Sequence, residues 1–151
     1  MAKLITMVSF IDKFSGSDPI EGFHLNELKS KIAKDLENLL NARRPLIHWT
    51  SEWSQLECSL MAYGVSDITG KVFDNAEFQN DFCKNLIRAI SVFEPRLKDV
   101  RINIVENPGT NSSVMYLRIA AVLLIEPKPE LITFDSVLKH ELGAFSIEYK
   151  E

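Results

Sequence analysis

The fold is decided by the stretch Ile90-Ser91-Val92-Phe93-Glu94-Pro95-Arg96-Leu97-Lys98-Asp99-Val100-Arg101-Ile102-Asn103-Ile104. Up to Phe93 the apolar residues recur mostly at the third or fourth position, the period of a helix with one buried face. From Val100 they recur at every second position, the period of a strand. Pro95 stands at the change. Its ring disfavours helical geometry at the preceding residue, so a helix ends at Glu94 and a sheet begins beyond it.

Upstream, Phe78, Phe82, Leu86, Ile90 and Phe93 lie on one helical face, and Asp74 and Glu77 have the spacing of a capping box. This predicts a helix from about Asn75 to Phe93. An earlier stripe of Leu25, Leu28, Ile32, Leu36, Leu39 and Leu40 predicts a first long helix, with Lys29, Lys31, Lys34 and Glu37 mostly facing away. Asn41 begins to end that helix and Pro45 stops it. Leu46 to Lys71, with Trp49, Trp53, Met61 and Tyr63, is less regular and reads as a short helix or turn near Glu52 to Leu60 followed by a packed loop. At the start of the chain, Leu4, Met7 or Val8, Ile11 and Phe14 form a short apolar stripe, followed by the breakers Ser15-Gly16-Ser17-Asp18-Pro19.

Downstream, Val100, Ile102 and Ile104 alternate with Arg101 and Asn103, and Asn107-Pro108-Gly109-Thr110-Asn111 signals a turn. Val114 to Ile125 is apolar on both parities apart from Arg118. That pattern predicts a long central strand covered on both faces for much of its length and ended by Pro127 and Pro129. Leu131 to Val137 and Ala144 to Tyr149 read as two further strands. The whole is an α+β layout, with N-terminal helices packed on a C-terminal antiparallel sheet of about four strands. An arm or short helix over residues 1–20 precedes one domain over 21–151.

The composition fits one core. With 151 residues, 46% of them hydrophobic and 25% charged, the chain needs neither metal nor disulfides to bury enough surface. A formal charge of −4 argues against non-specific binding of nucleic acid or of anionic membrane. No stretch approaches the roughly 20 apolar residues of a membrane span, and the N-terminus lacks the pattern of a secretory signal, so no direct membrane insertion and a cytoplasmic location are expected. Cys58 and Cys83 read as reduced packing residues. The scattered His24, His48 and His140 have no metal-ligand spacing, so no metal is expected. Neither a phosphate-binding glycine loop nor a G-x-S-x-G elbow occurs, and no cofactor is expected.

Three features carry functional content. Glu94 lies at or just past a helix C-terminus, where the macrodipole opposes an anion by about 0.3 to 1 kcal/mol when exposed. Arg96 is the nearest compensating charge, with donors enough for one carboxylate on one side and a partner's acceptor on the other. Either the pair is a surface ion pair at a helix stop, or it docks on another protein, or Glu94 is the general acid of a glycosidase with Asp67, Asp74, Asp99 or Glu106 as its mate. An adjacent arginine weighs against the last. Arg43 and Arg44, after the first long helix, read as capping or intramolecular pairing rather than as a phosphate clamp. The final strand, with Phe145, Ile147 and Tyr149 on one side, is either paired internally or an edge open to a strand from another protein.

Three runs together are similar to a known family: Ile32-Ala33-Lys34-Asp35-Leu36-Glu37-Asn38-Leu39-Leu40-Asn41-Ala42-Arg43-Arg44, then Tyr63-Gly64-Val65-Ser66-Asp67, then Ile90-Ser91-Val92-Phe93-Glu94-Pro95-Arg96-Leu97. In this order they resemble the TssE baseplate wedge family of type VI secretion, a relative of the contractile-phage wedge subunit once labelled lysozyme-like. Ser9-Phe10-Ile11-Asp12-Lys13-Phe14 is similar to the family's leader. The usual Y-G-L-P-D reads Tyr63-Gly64-Val65-Ser66-Asp67 here and lacks a proline. An anti-adaptor regulator shares the fold and an E-P-R-like motif but not the Y-G-x-x-D loop, so the wedge family is preferred.

The resemblance implies a structural, non-enzymatic protein of a cytoplasmic baseplate near the inner membrane. It implies contacts with TssF, TssG and TssK and a strand-exchange connection to the first sheath layer of TssB and TssC. It makes Glu94, Pro95, Arg96, Tyr63, Gly64 and Asp67 interface elements, and Phe145, Ile147 and Tyr149 part of a sheath-facing strand.

Overall fold

The computed structural model describes residues 25–45, 51–69, 71, 75–105, 114–139 and 142–149. The expected arm over 1–20, Asp74, Glu106, the turn at Asn107 to Asn111 and the three histidines lie outside the described residues.

Helix α1 spans Leu25–Asn41 and buries Leu28, Ile32, Leu36, Leu39 and Leu40, the stripe that its spacing predicts. Two 3-10 helices follow, Ser51–Cys58 and Leu60–Ala62. Helix α2 spans Ala76–Phe93 and buries Phe82, Leu86, Ala89, Ile90 and Phe93. Its N-cap is Asn75, whose side-chain oxygen accepts the Glu77 backbone N–H at 2.8 Å, satisfying one of the donors that a helix start leaves over.

Strands β1 (Leu97–Val105), β2 (Val114–Leu123), β3 (Glu130–Lys139) and β4 (Ala144–Tyr149) form an antiparallel sheet in the order β1-β2-β3-β4. This is the predicted α+β architecture. The cross-strand pairs Ile102–Ile119, Ile119–Phe134 and Phe134–Tyr149 run across one face, which meets α1 and α2. A bulge between Lys98 and Arg101 carries Asp99 at φ 51°, and pairing resumes beyond it.

Strand β2 departs from its predicted burial. Met115, Leu117, Ile119, Ala121 and Leu123 are buried on the helix side, whereas Val114, Tyr116, Ala120 and Val122 are half-buried and Arg118 is exposed. Cross-strand neighbours such as Leu131 opposite Val122 and Val105 opposite Tyr116 partly shield these apolar residues, and no second layer of helices is needed to explain them. An apolar run on both parities therefore marked a central strand without marking two covered faces.

The two edges of the sheet differ. On β4, Phe145 uses both backbone groups on the Asn41 side chain, its N–H donating to Oδ1 at 2.8 Å and its carbonyl accepting from Nδ2 at 2.9 Å. The Ile147 N–H donates to Glu37 Oε2 at 3.0 Å. Lys29, itself buried, donates to Glu130 Oε1 at 2.8 Å and to the Tyr149 hydroxyl at 2.9 Å, which ties the end of β4 to α1. Because ladder bonds alternate along antiparallel strands, the outward backbone groups of β4 at Phe145 and Ile147 fix the outward groups of β1 as those of Ile102 and Ile104. Among the described residues nothing bonds to these.

Asn41→Ala leaves the Phe145 N–H and C=O without protein partners and is expected to cost about 1 to 3 kcal/mol in urea unfolding. Native-state hydrogen exchange at Phe145 should rise with it while the α2 amides stay protected.

Candidate functional site

The chain leaves α2 at Glu94, whose N–H still donates to the Ile90 carbonyl at 2.8 Å. Its own carbonyl then accepts the Leu97 N–H at 3.0 Å, a tight turn across Pro95. The Arg96 carbonyl accepts the Leu124 N–H at 2.8 Å, fixing the turn to the end of β2. Glu94 and Arg96 both lie in the interior, Arg96 with 0% exposure. Glu94 Oε2 accepts from Arg96 Nε at 3.0 Å and from Nη2 at 2.7 Å. Nη2 also donates to Asp35 Oδ2 at 2.6 Å.

Arg96 is thus the compensating charge for Glu94, and the acceptor on the other side of its guanidinium is supplied by Asp35 on α1 of the same chain rather than by a partner. Asp35 was not among the mates considered from sequence. The signal for it is its place in the apolar stripe: Leu28, Ile32, Asp35 and Leu39 step by 4, 3 and 4, so one polar residue occupies a core-facing position. Burial by itself lowers the pKa of Arg96, and the charges and hydrogen bonds of Glu94 and Asp35 more than reverse that, leaving it above the ordinary arginine range.

Tyr63 packs against the same cluster. Its ring meets Phe93 edge to face, with centroids 5.2 Å apart. Burial, with the charges of Glu94 and Asp35 adding to it, pushes its phenol up to about 12. The loop that follows is bolted to the C-terminus of α1. The Val65 N–H donates to the Ala42 carbonyl at 3.0 Å and the Arg44 N–H to the Val65 carbonyl at 2.9 Å. Gly64 sits between them at φ +103°, where a Cβ would run into the Ala42 carbonyl oxygen, so no other residue fits. Asp67 Oδ1 accepts from Thr69 N–H at 3.0 Å, Thr69 Oγ1 at 2.8 Å and Arg43 Nη1 at 2.7 Å. The Thr69 bonds chiefly, with Arg43 adding to them, hold its carboxyl below the usual range. These contacts give the loop rigidity without the missing proline, and they make Arg43 the intramolecular partner that its position suggested.

The predicted residues thus fall into three groups along α1. Glu94, Pro95, Arg96 and Tyr63 gather near Asp35. Gly64 and Asp67 gather at its C-terminus. Phe145, Ile147 and Tyr149 turn their side chains to the core side of β4, where Phe145 stacks on Phe82 and Tyr149 meets Phe134 edge to face. Pro95 and Tyr63 remain partly exposed and Asp67 is exposed. Among the described residues, no group of three or more His, Cys, Asp and Glu side chains is placed to hold a metal. No helix among them is long and apolar enough to cross a membrane.

The family model for baseplate wedge protein gp25 matches residues 26–128. The chain belongs to that family. In this baseplate wedge protein the matched span takes in α1, the Tyr63-to-Asp67 loop, α2, the Glu94-Pro95-Arg96 turn, β1 and β2, which are the elements joined by the Arg96 ion-pair cluster. A search of curated proteins and a search of solved structures each returned no match. Membership makes it a component of a contractile injection baseplate. In this wedge protein Glu94 and Arg96 fasten two helices to the sheet, with the Glu94 oxygen taken up by the guanidinium.

Arg96→Ala leaves two carboxylates facing each other in the interior and is expected to cost about 3 to 5 kcal/mol in urea unfolding. The deficit should shrink as pH falls toward the carboxylate range, where protonation removes the repulsion. Tyr63 behaves oppositely at high pH: its folded pKa of about 12 exceeds the reference value of 10.0, so its contribution is complete below pH 10 and is lost as pH rises toward 12. Tyr63→Phe should therefore lose less stability than the wild type across that window in pH-dependent denaturation.

Proposed function

We propose that this baseplate wedge protein is the TssE-type subunit of a type VI secretion apparatus, docking on TssF, TssG and TssK and joining the first sheath layer of TssB and TssC to a baseplate near the inner membrane. The observation that carries this reading is the family match across the segment that holds all three quoted motifs. The motifs, with Val65-Ser66 in place of Leu-Pro, resemble those of the secretion branch, which supports this reading over the phage one.

In this reading the partner meets Pro95, Tyr63 and Asp67, which with Ser66 are the members of the E-P-R turn and Y-G-x-x-D loop that reach solvent. Glu94, Arg96 and Gly64 set their positions from beneath. Sheath attachment uses a sheet edge. The β4 strand with Phe145, Ile147 and Tyr149 already has backbone groups bonded to Asn41 and Glu37, which favours the outward backbone of Ile102 and Ile104 on β1 as the pairing edge.

The test is sheath formation, followed with fluorescent TssB in cells lacking this chain. Wild-type chain should restore sheaths. Ile104→Pro, which removes one outward N–H and spares the ladder to β2, should not restore them, although TssF and TssG still co-purify with it. Normal sheaths without the chain would refute the wedge role, and normal sheaths with Ile104→Pro would refute the β1 edge.

A further inference from the structure

The backbone groups of β1 that face away from β2, those of Ile102 and Ile104, lie on a bounded run. Upstream of it, the Leu97 N–H already donates to the Glu94 carbonyl at 3.0 Å. In between, the bulge turns Asp99 to φ 51° and bends the strand out of line. A strand added to this edge therefore finds regular backbone from Arg101 onward, as far as Val105, where the described part of β1 ends.

The register assigns the side chains that such a strand meets. On the helix side Ile102 is buried and Ile104 half-buried, in line with Ile119 and Leu117 of β2. Residues placed opposite them extend those rows, so the complement is apolar at two alternate positions. The other face of the run carries Arg101, Asn103 and Val105, all exposed. Asn103 lies beside the Arg118–Asp135 pair, whose atoms are 2.9 Å apart. Arg101 instead faces Ala120 and, beyond it, Thr133, and its diagonal neighbours on β2 are Arg118 and Val122, so β2 and β3 bring it no free acid. Lys98 and Asp99, nearby in the chain, are one of each sign, and among the described residues no side chain pairs with Arg101. A guanidinium left over at the start of an open edge calls for a carboxylate on the strand that joins it. A second copy offering the same edge fits worse. Antiparallel pairing of Ile102 in one copy with Ile104 in the other would set each Arg101 against Val105 and leave both guanidinium groups without an acid.

We propose that the sheath strand received by β1 carries an acidic residue opposite Arg101 and apolar residues opposite Ile102 and Ile104, and that Arg101 selects which stretch of the sheath subunit enters and in which register. The inference rests on the wedge reading above, which supplies the sheath subunit. The acid and its spacing follow from β1.

A photo-crosslinking amino acid in place of Asn103, in cells building sheath, tests it. The expected adduct falls on a sheath subunit, at a residue with an apolar neighbour on each side and an Asp or Glu two positions away, the spacing from Asn103 to Arg101. Arg101→Glu in the same chain should lower the adduct yield about tenfold, and changing that acid of the sheath subunit to Lys should restore it. The far-ultraviolet circular dichroism and thermal midpoint of Arg101→Glu should match the wild type, because the side chain is exposed. A captured segment without the acid, a yield that Arg101→Glu leaves unchanged, or a loss that the Lys does not restore would each overturn the proposal and leave the β1 edge standing. An adduct to a second copy, or sheaths with no adduct, would overturn the β1 edge and the proposal with it. Sheaths in cells lacking the chain would overturn the wedge role itself.

Discussion

A guanidinium taken fully out of water must be met by negative charge and by hydrogen-bond acceptors, and the arrangement around Arg96 follows from that demand. Glu94 comes from the end of α2, Asp35 from the middle of α1, and Arg96 itself from the residue before β1. Each element is therefore located with respect to the other two by one side chain. The desolvation cost of such a group is several kcal/mol, and only close contact with two carboxylates offsets it. The orientation of α1 and α2 against the sheet is thereby specified more narrowly than apolar packing alone would require.

The Y-G-x-x-D loop reads as the second fastening of the same frame. Gly64 fits against Ala42 because it has no side chain, and Asp67 collects donors from its own loop and from Arg43. Arg43 extends further, to Thr69 Oγ1 at 3.4 Å and the Leu142 carbonyl at 3.5 Å, so the C-terminus of α1 is joined to the loop and to the turn before β4. Tyr63 links the two fastenings through its contact with Phe93. Motifs that resemble an interface signature in sequence are here largely engaged in contacts within the chain.

Much of the fold was legible because it rests on periodicity. The α1 and α2 stripes and the alternation in β1 and β4 each report a single buried face, and the structure has those faces. The second face of β2 was misread because cross-strand neighbours can partly shelter valine, alanine and tyrosine without another layer above them. The charge problem at Glu94 was legible from Pro95 and the helix end. So was its answer, Arg96, but not the guanidinium's second carboxylate, because Asp35 lies 61 residues away from Arg96 and only its heptad-like place among leucines hints that it faces inward. The direction of Phe145, Ile147 and Tyr149 was legible as one face of a strand, but not which surface that face met.

The unequal edges of the sheet have a further consequence. A protein that presented complementary bare strands at both sides could line up head to tail with its own copies and grow into an open ribbon. Here one side has its hydrogen-bonding capacity partly consumed by the amide of Asn41 and the carboxylate of Glu37, so self-propagating stacking is blocked at its second step. What is left among the described residues is a sheet whose outward backbone groups are engaged on β4 and unengaged at Ile102 and Ile104 of β1, so the two edges cannot pair with one another as equals.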